Sequence, residues 1–107
     1  MNDGEILEFA KDFREGILDG DSSEMMCFAV CAPLETLLNM YGVDCELIEG
    51  SVGNCNHYWL ELSDGRILDP TADQFNNLDR RFPEVYLGAK PAGWSLNLIN
   101  SDWFFHL

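Results

Sequence analysis

An α+β fold is predicted for this chain, two helices followed by a small antiparallel sheet. From residue 4 to residue 41 apolar side chains recur at helical spacing, whereas after Gly42 the pattern changes to the alternation of strands. From His57 onward two apolar runs flank Ser63-Asp64-Gly65, which is a hairpin signal. Helices first and strands afterwards is the α+β order.

The first helix is expected over 4–19. Ile6, Phe9, Ala10, Phe13 and Ile17 form its apolar stripe, acids and Lys11 lie elsewhere, and Gly20 is its stop. Ser22 or Ser23 is placed to cap a second helix over about 24–41, with Cys27, Val30, Cys31, Leu34, Leu37, Leu38 and Tyr41 on one stripe and Gly42 at its end. Pro33 conflicts with that helix, because it removes a backbone donor and crowds the preceding turn. It sits off the stripe, so either the helix bends there or the regular helix begins at Pro33. Residues 43–50 alternate as a strand, 51–56 read as a loop, and His57–Leu62 with Arg66–Asp69 form the hairpin, which Pro70 closes. Residues 71–82 are polar and irregular or briefly helical. Val85-Tyr86-Leu87, Trp94-Ser95-Leu96 and Trp103-Phe104-Phe105 supply further strands or packing, for a sheet of about four strands.

The chain has 107 residues, suiting one domain over 1–107, and 47% of them are hydrophobic, a globular composition. It contains 19 acids and 6 basic residues, a net charge of −13, which repels phosphate backbones and anionic membranes and favours a basic partner. No apolar run approaches the roughly 18 residues of a membrane span. The acidic start, Met1-Asn2-Asp3-Gly4-Glu5, lacks the features of a secretory signal, so the cytoplasm is the expected location. In that compartment the thiols at 27, 31, 45 and 55 are not expected to form a disulfide framework.

One constellation carries chemistry. A thiol attacks a carbonyl best as a thiolate, stabilised by a helix N-terminus and a nearby imidazole, while a carboxylate holds that imidazole in one tautomer. Cys27 lies in the first turns of the second helix, His57 opens a strand and Asp69 closes the next. With the three-residue connection Ser63-Asp64-Gly65, Leu62 pairs with Arg66, position 71 falls opposite His57, and Asp69 is its diagonal neighbour on the same face. A two-residue turn at Asp64-Gly65 would put His57 and Asp69 on opposite faces. The constellation therefore requires the longer loop, with Gly65 left-handed. It places Tyr58, Leu60, Leu62 and Ile67 on one face and Trp59 and Glu61 on the other. Cys31 is the competing nucleophile if the helix begins at Pro33.

Cys27, the apolar helix to Gly42, Gly50, His57-Tyr58-Trp59-Leu60-Glu61-Leu62 and Asp69-Pro70-Thr71 together resemble the core pattern of transglutaminase-like domains. The run Asp64-Gly65-Arg66-Ile67-Leu68-Asp69-Pro70-Thr71-Ala72-Asp73-Gln74-Phe75, with Cys27-Phe28 upstream, also resembles small bacterial and phage proteins of that kind. The resemblance covers about residues 22–75. It implies a papain-like core with Cys27 as nucleophile, His57 as base and Asp69 as orienting acid. The implied activity is that of an amide hydrolase or acyl transferase, of peptidase, deamidase or transglutaminase type, acting on a protein or peptide, by charge a basic one, without metal or organic cofactor.

Three other readings stand beside this one. Cys27, His57 and Asp69 could be ordinary core and turn residues, as Trp59 could be core and His106 a surface group. Cys27, Cys31, Cys45, Cys55 and His57 could bind zinc, but their spacing forms no standard finger or knuckle. The rival of another class is a non-catalytic acidic binding or inhibitor protein, of phage or defence type, that occupies a basic partner.

Overall fold

The computed structural model describes residues 1–53, 55–76 and 81–96; Asn54, the 101–107 stretch and His106 lie outside them. Helix α1 spans Asp3–Leu18. Asn2 accepts the Glu5 N–H at 2.8 Å while the Glu5 carboxylate takes the Asn2 N–H at 3.1 Å. This reciprocal capping box, with a typical cap worth about 1 kcal/mol, starts the helix one residue before the predicted 4–19. Asp19, left-handed at φ 48°, ends it.

Helix α2 spans Cys27–Met40 and starts later than the expected 24. Met25 has φ 61°, which a right-handed helix cannot contain, so Cys27 is the first helical residue. Neither expected serine caps it. The Ser22 hydroxyl takes the Glu24 N–H at 3.1 Å, and the Ser23 hydroxyl donates to Asp73 at 2.7 Å. Pro33 is accommodated inside the helix on its exposed side, so the alternative start at Pro33 does not hold. At the other end Gly42 N–H bonds the Asn39 carbonyl at 3.1 Å and Val43 N–H the Leu38 carbonyl at 2.9 Å. This is a Schellman closure, and it requires the positive φ of 86° at Gly42.

Strands β1 (Cys45–Val52), β2 (Cys55–Leu62), β3 (Ile67–Asp69), β4 (Tyr86–Gly88) and β5 (Trp94–Leu96) form one antiparallel sheet in the order β4-β3-β2-β1-β5. The two C-terminal apolar clusters that fall within the described residues supply β4 and β5, so among the described residues the sheet has five strands rather than about four. The expected loop over 51–56 is instead largely strand: β1 runs on to Val52, which pairs directly with Cys55. Polarity misleads there, because Ser51 and Asn56 pair across the ladder although neither is apolar.

Leu60 pairs with Leu68 and Glu61 with Ile67, which gives the three-residue loop. Leu62 N–H bonds the Arg66 carbonyl at 2.8 Å, and Gly65 is left-handed at φ 90°. That register corrects one expectation. Ile67, being opposite Glu61, shares the face of Trp59 and Glu61 rather than that of Tyr58, Leu60 and Leu62. It packs with Trp59, Ala72 and Trp94, whereas Leu60, Leu62 and Leu68 pack beneath the helices with Ile6, Ala10, Cys31, Leu34 and Leu38. The sheet thus buries both faces, one under α1 and α2 and one under an aromatic layer.

Arg14 is buried on α1 and ties the layers together. Its guanidinium donates to the carbonyls of Pro70 at 3.0 Å and Glu84 at 2.8 Å, and to Asp73 at 2.9 Å. Gly50 allows the other face to close. A Cβ there would lie 2.2 Å from Cη2 of Trp59 and 2.4 Å from the Ser95 carbonyl oxygen, and the latter is backbone. Gly50→Ala is therefore expected to destabilise the protein by about 1–3 kcal/mol, the usual cost of overpacking, read as a lower urea midpoint at unchanged m-value.

Candidate active site

His57 opens the buried part of β2 and is fully buried, as is Asp69 at the end of β3. Extending the β2–β3 register puts residue 71 opposite His57 and leaves Asp69 on the diagonal, on the same face. There Nε2 of His57 meets Oδ2 of Asp69 at 2.5 Å in a buried hydrogen bond. The other oxygen, Oδ1, accepts the Thr71 N–H at 2.9 Å. Three aromatic rings enclose the imidazole: Phe75 at 4.6 Å, Trp94 at 5.4 Å and Trp59 at 5.9 Å between centroids. Trp59 is thus both core and a wall of this site.

The other imidazole nitrogen is Nδ1, and Cys27, the first residue of α2, lies close to the ring. Nδ1 is buried without an aligned hydrogen bond among the described residues, yet thiol and ring are close enough for each to shift the other's titration. Burial pushes the Cys27 thiol up, but the His57 ring and the backbone groups of Tyr58 and Phe28 outweigh it, so its pKa is lowered. Burial likewise disfavours the imidazolium. The Asp69 hydrogen bond and the Cys27 thiol reverse that and raise His57 to about 9. Both shifts favour the same state, thiolate beside imidazolium. The first turn of α2 contributes in the same direction, since it has neither a side-chain cap nor an acidic residue to compete for its N–H groups.

The remaining cysteines differ. Cys31, the competing candidate, is fully buried and donates to the Tyr58 carbonyl at 3.5 Å. Burial, with Asp69 and Cys27 nearby, raises its pKa well above the ordinary value. Cys45 is pushed up to about 11 by burial and by Glu35 and Asp44. Cys55 is exposed. Among the described residues no three His, Cys, Asp or Glu side chains are grouped as metal ligands, so the set considered for zinc does not assemble. Nor is any helix among them long and apolar enough to cross a membrane.

Beside the thiol, Phe28 is 54% exposed and meets the Tyr58 ring edge-on at 5.0 Å. The Tyr58 hydroxyl donates to Glu49 at 2.7 Å, and Asn56 donates to the same carboxylate at 3.3 Å. Sequence reasoning missed Arg14, although it falls on the stripe of Ile6, Ala10 and Leu18, because a charged residue there reads as solvent-facing. It also missed Phe75 and Trp94 as neighbours of His57, which only the tertiary fold brings together.

Two outcomes follow from the charge state. Cys27 is expected to react with iodoacetamide with a midpoint below the ordinary thiol value near 8.5, and His57→Ala to move that midpoint upward; cysteine-resolved mass spectrometry separates it from Cys55. In a Cys27→Ser background, which removes the thiol's share of the shift, the Asp69 hydrogen bond and charge are expected to outweigh burial and to hold His57 above its unfolded value near 6.5. It binds its proton more tightly folded than unfolded, so its stabilisation is complete below about pH 6.5 and lost as pH rises through the folded pKa. Urea unfolding across that range is expected to show a decline that His57→Gln lacks.

Comparison with protein-family models, with curated proteins and with solved structures returns no match, so what bears on function is the chain's own residues and their geometry.

Proposed function

We propose that this protein is a thiol-dependent amide hydrolase or acyl transferase on a papain-like core of the transglutaminase-like kind. The observation that carries this reading is a half-buried thiol at the first residue of α2, close enough to a buried imidazole for each to shift the other's titration, with one nitrogen of that imidazole bonded to a buried carboxylate. A purely structural histidine gains nothing from an adjacent thiol of lowered pKa, whereas a nucleophile requires one.

The chemistry follows from the arrangement. The Cys27 thiolate attacks the carbonyl carbon of an amide. The oxyanion that develops is met by N–H groups of the α2 N-terminus, that of Cys27 among them. The imidazolium of His57 gives its proton to the departing nitrogen, so an amine leaves and a thioester remains on Cys27. His57, now neutral, takes a proton from water or from an acceptor amine as that nucleophile attacks the thioester, and the thiolate is regenerated. Asp69 keeps Nε2–H engaged and Nδ1 directed at the thiol throughout. The substrate is proposed to be a protein or peptide, and the net charge of −13 selects for a basic one.

p-Nitrophenyl acetate tests the reading. The thiolate should expel p-nitrophenolate and leave an acetyl group on Cys27, seen by mass spectrometry. Cys27→Ala should abolish that adduct, and Asp69→Asn should slow its formation by about two orders of magnitude or more. An adduct absent from the wild type, or formed equally by Asp69→Asn, would overturn the assignment.

A second reading has its own observation. Glu46 and Glu61 lie directly opposite each other in the sheet and line, with Asp44, a cleft of about 410 Å³. Like charges so opposed are unfavourable, and a cationic partner would relieve them. That suits an acidic binding protein of phage or defence type, with a basic partner. Retention of basic proteins at low salt that is lost in Glu46→Gln/Glu61→Gln, while Cys27→Ala retains them, would favour it.

A further inference from the structure

The segment after Asp69 holds more than a strand end. Asp69 Oδ1 accepts two hydrogens from Thr71, from its N–H at 2.9 Å and from its hydroxyl at 3.3 Å. Both residues are fully buried. An ionised carboxylate has no hydrogen to give, so the Thr71 hydroxyl must commit its one hydrogen to Asp69. Its oxygen can then only accept. The donor it meets is Nε2 of Gln74, at 3.0 Å from that oxygen and 3.1 Å from the Thr71 carbonyl. The direction of every bond is thereby set, from Gln74 to Thr71 to Asp69, whose other oxygen faces His57. The 3₁₀ turn over Ala72–Phe75 that carries Gln74 is pinned on its flank, where Asp73 accepts from Arg14 and Ser23. The next residue along, Phe75, stands against His57.

We propose that Thr71 and Gln74 are positioning residues, a donor relay that fixes the Asp69 carboxylate against His57 and so holds the imidazole toward Cys27. The proposal rests on the Cys27–His57–Asp69 reading above. It explains why a carboxamide, rather than a carboxylate of the same shape, stands at position 74: an ionised glutamate side chain there would face a carbonyl and a hydroxyl oxygen with acceptors only. The titratable groups around the relay are His57 from β2, Cys27 and Cys31 from α2, and Asp73, whose carboxylate is paired with Arg14.

The test is the pH profile of iodoacetamide labelling at Cys27 in Thr71→Val, Thr71→Ser, Gln74→Glu and Gln74→Ala, with Asp69→Asn and His57→Ala as references and urea melts to verify folding. Thr71→Val keeps the backbone donor and removes the hydroxyl, and Gln74→Glu keeps the shape and reverses the polarity. Both are expected to shift the midpoint upward, toward that of Asp69→Asn, and to slow labelling near pH 7 by about ten- to a hundred-fold, the scale of one hydrogen bond to a charged group. Thr71→Ser is expected to stay within about two-fold of wild type, since it keeps the hydroxyl. A merely structural role would lower the urea midpoint and leave the pH profile in place. If folded Thr71→Val and Gln74→Glu titrate as wild type while His57→Ala does not, the relay is overturned and the active-site reading stands. If wild type and His57→Ala titrate alike, both are overturned. Gln74 is only half-buried, so its variants keep the test decisive should Thr71→Val fail to fold.

Discussion

The buried hydrogen bond between His57 and Asp69 is the interaction on which the rest of this structure depends. An imidazole and a carboxylate removed from water are costly groups, and breaking one such partnership commonly costs about 3–5 kcal/mol because the survivor is left uncompensated. The fold meets that cost from every side. The three-residue loop sets the register that puts both groups on one face, Thr71 supplies donors to the second carboxylate oxygen, and the aromatic layer excludes water from the ring.

Much of the periphery exists to hold that pair. Gly50 gives Trp59 the room to lie across β1, and the backbone of β5 closes over the same glycine. Arg14 reaches from α1 to the carbonyl of Pro70, immediately after Asp69, and to Asp73 in the following turn, so the helical layer grips the segment that presents the carboxylate. Cys31 anchors α2 to the Tyr58 carbonyl, one residue from His57, and thereby sets where Cys27, one turn earlier, stands relative to the ring. The buried thiol at position 31 thus helps to place the half-buried thiol at position 27.

The parts legible in the sequence are those governed by local period and turn chemistry. Both helices, the antiparallel sheet and the loop at Ser63-Asp64-Gly65 follow from spacing and from glycines at forced turns, and the requirement that His57 and Asp69 share a face selects the correct loop length. What escapes depends on tertiary environment. Arg14 reads as surface by charge but is held inside by carbonyls and a carboxylate distant in sequence. Ser51 and Asn56 read as loop by polarity, yet they extend a ladder. Ile67 reads onto the wrong face by its company of apolar neighbours, although the three-residue register already implies the right one through its pairing with Glu61. Gln74 stands out in the motif without a role, because its partners are defined only once the turn over Ala72–Phe75 has formed.

The central claim is that His57 is protonated in the folded protein at neutral pH, held so between Asp69 and the Cys27 thiolate. Nitrogen chemical shifts of the His57 ring at about pH 7.5, one unit above the ordinary histidine value, test it most directly in protein labelled at histidine. The account predicts two protonated ring nitrogens, an imidazolium that persists well above the ordinary histidine value near 6.5 and titrates toward about 9. A neutral ring under those conditions, with one bare nitrogen and a midpoint at or below about 6.5, would contradict it.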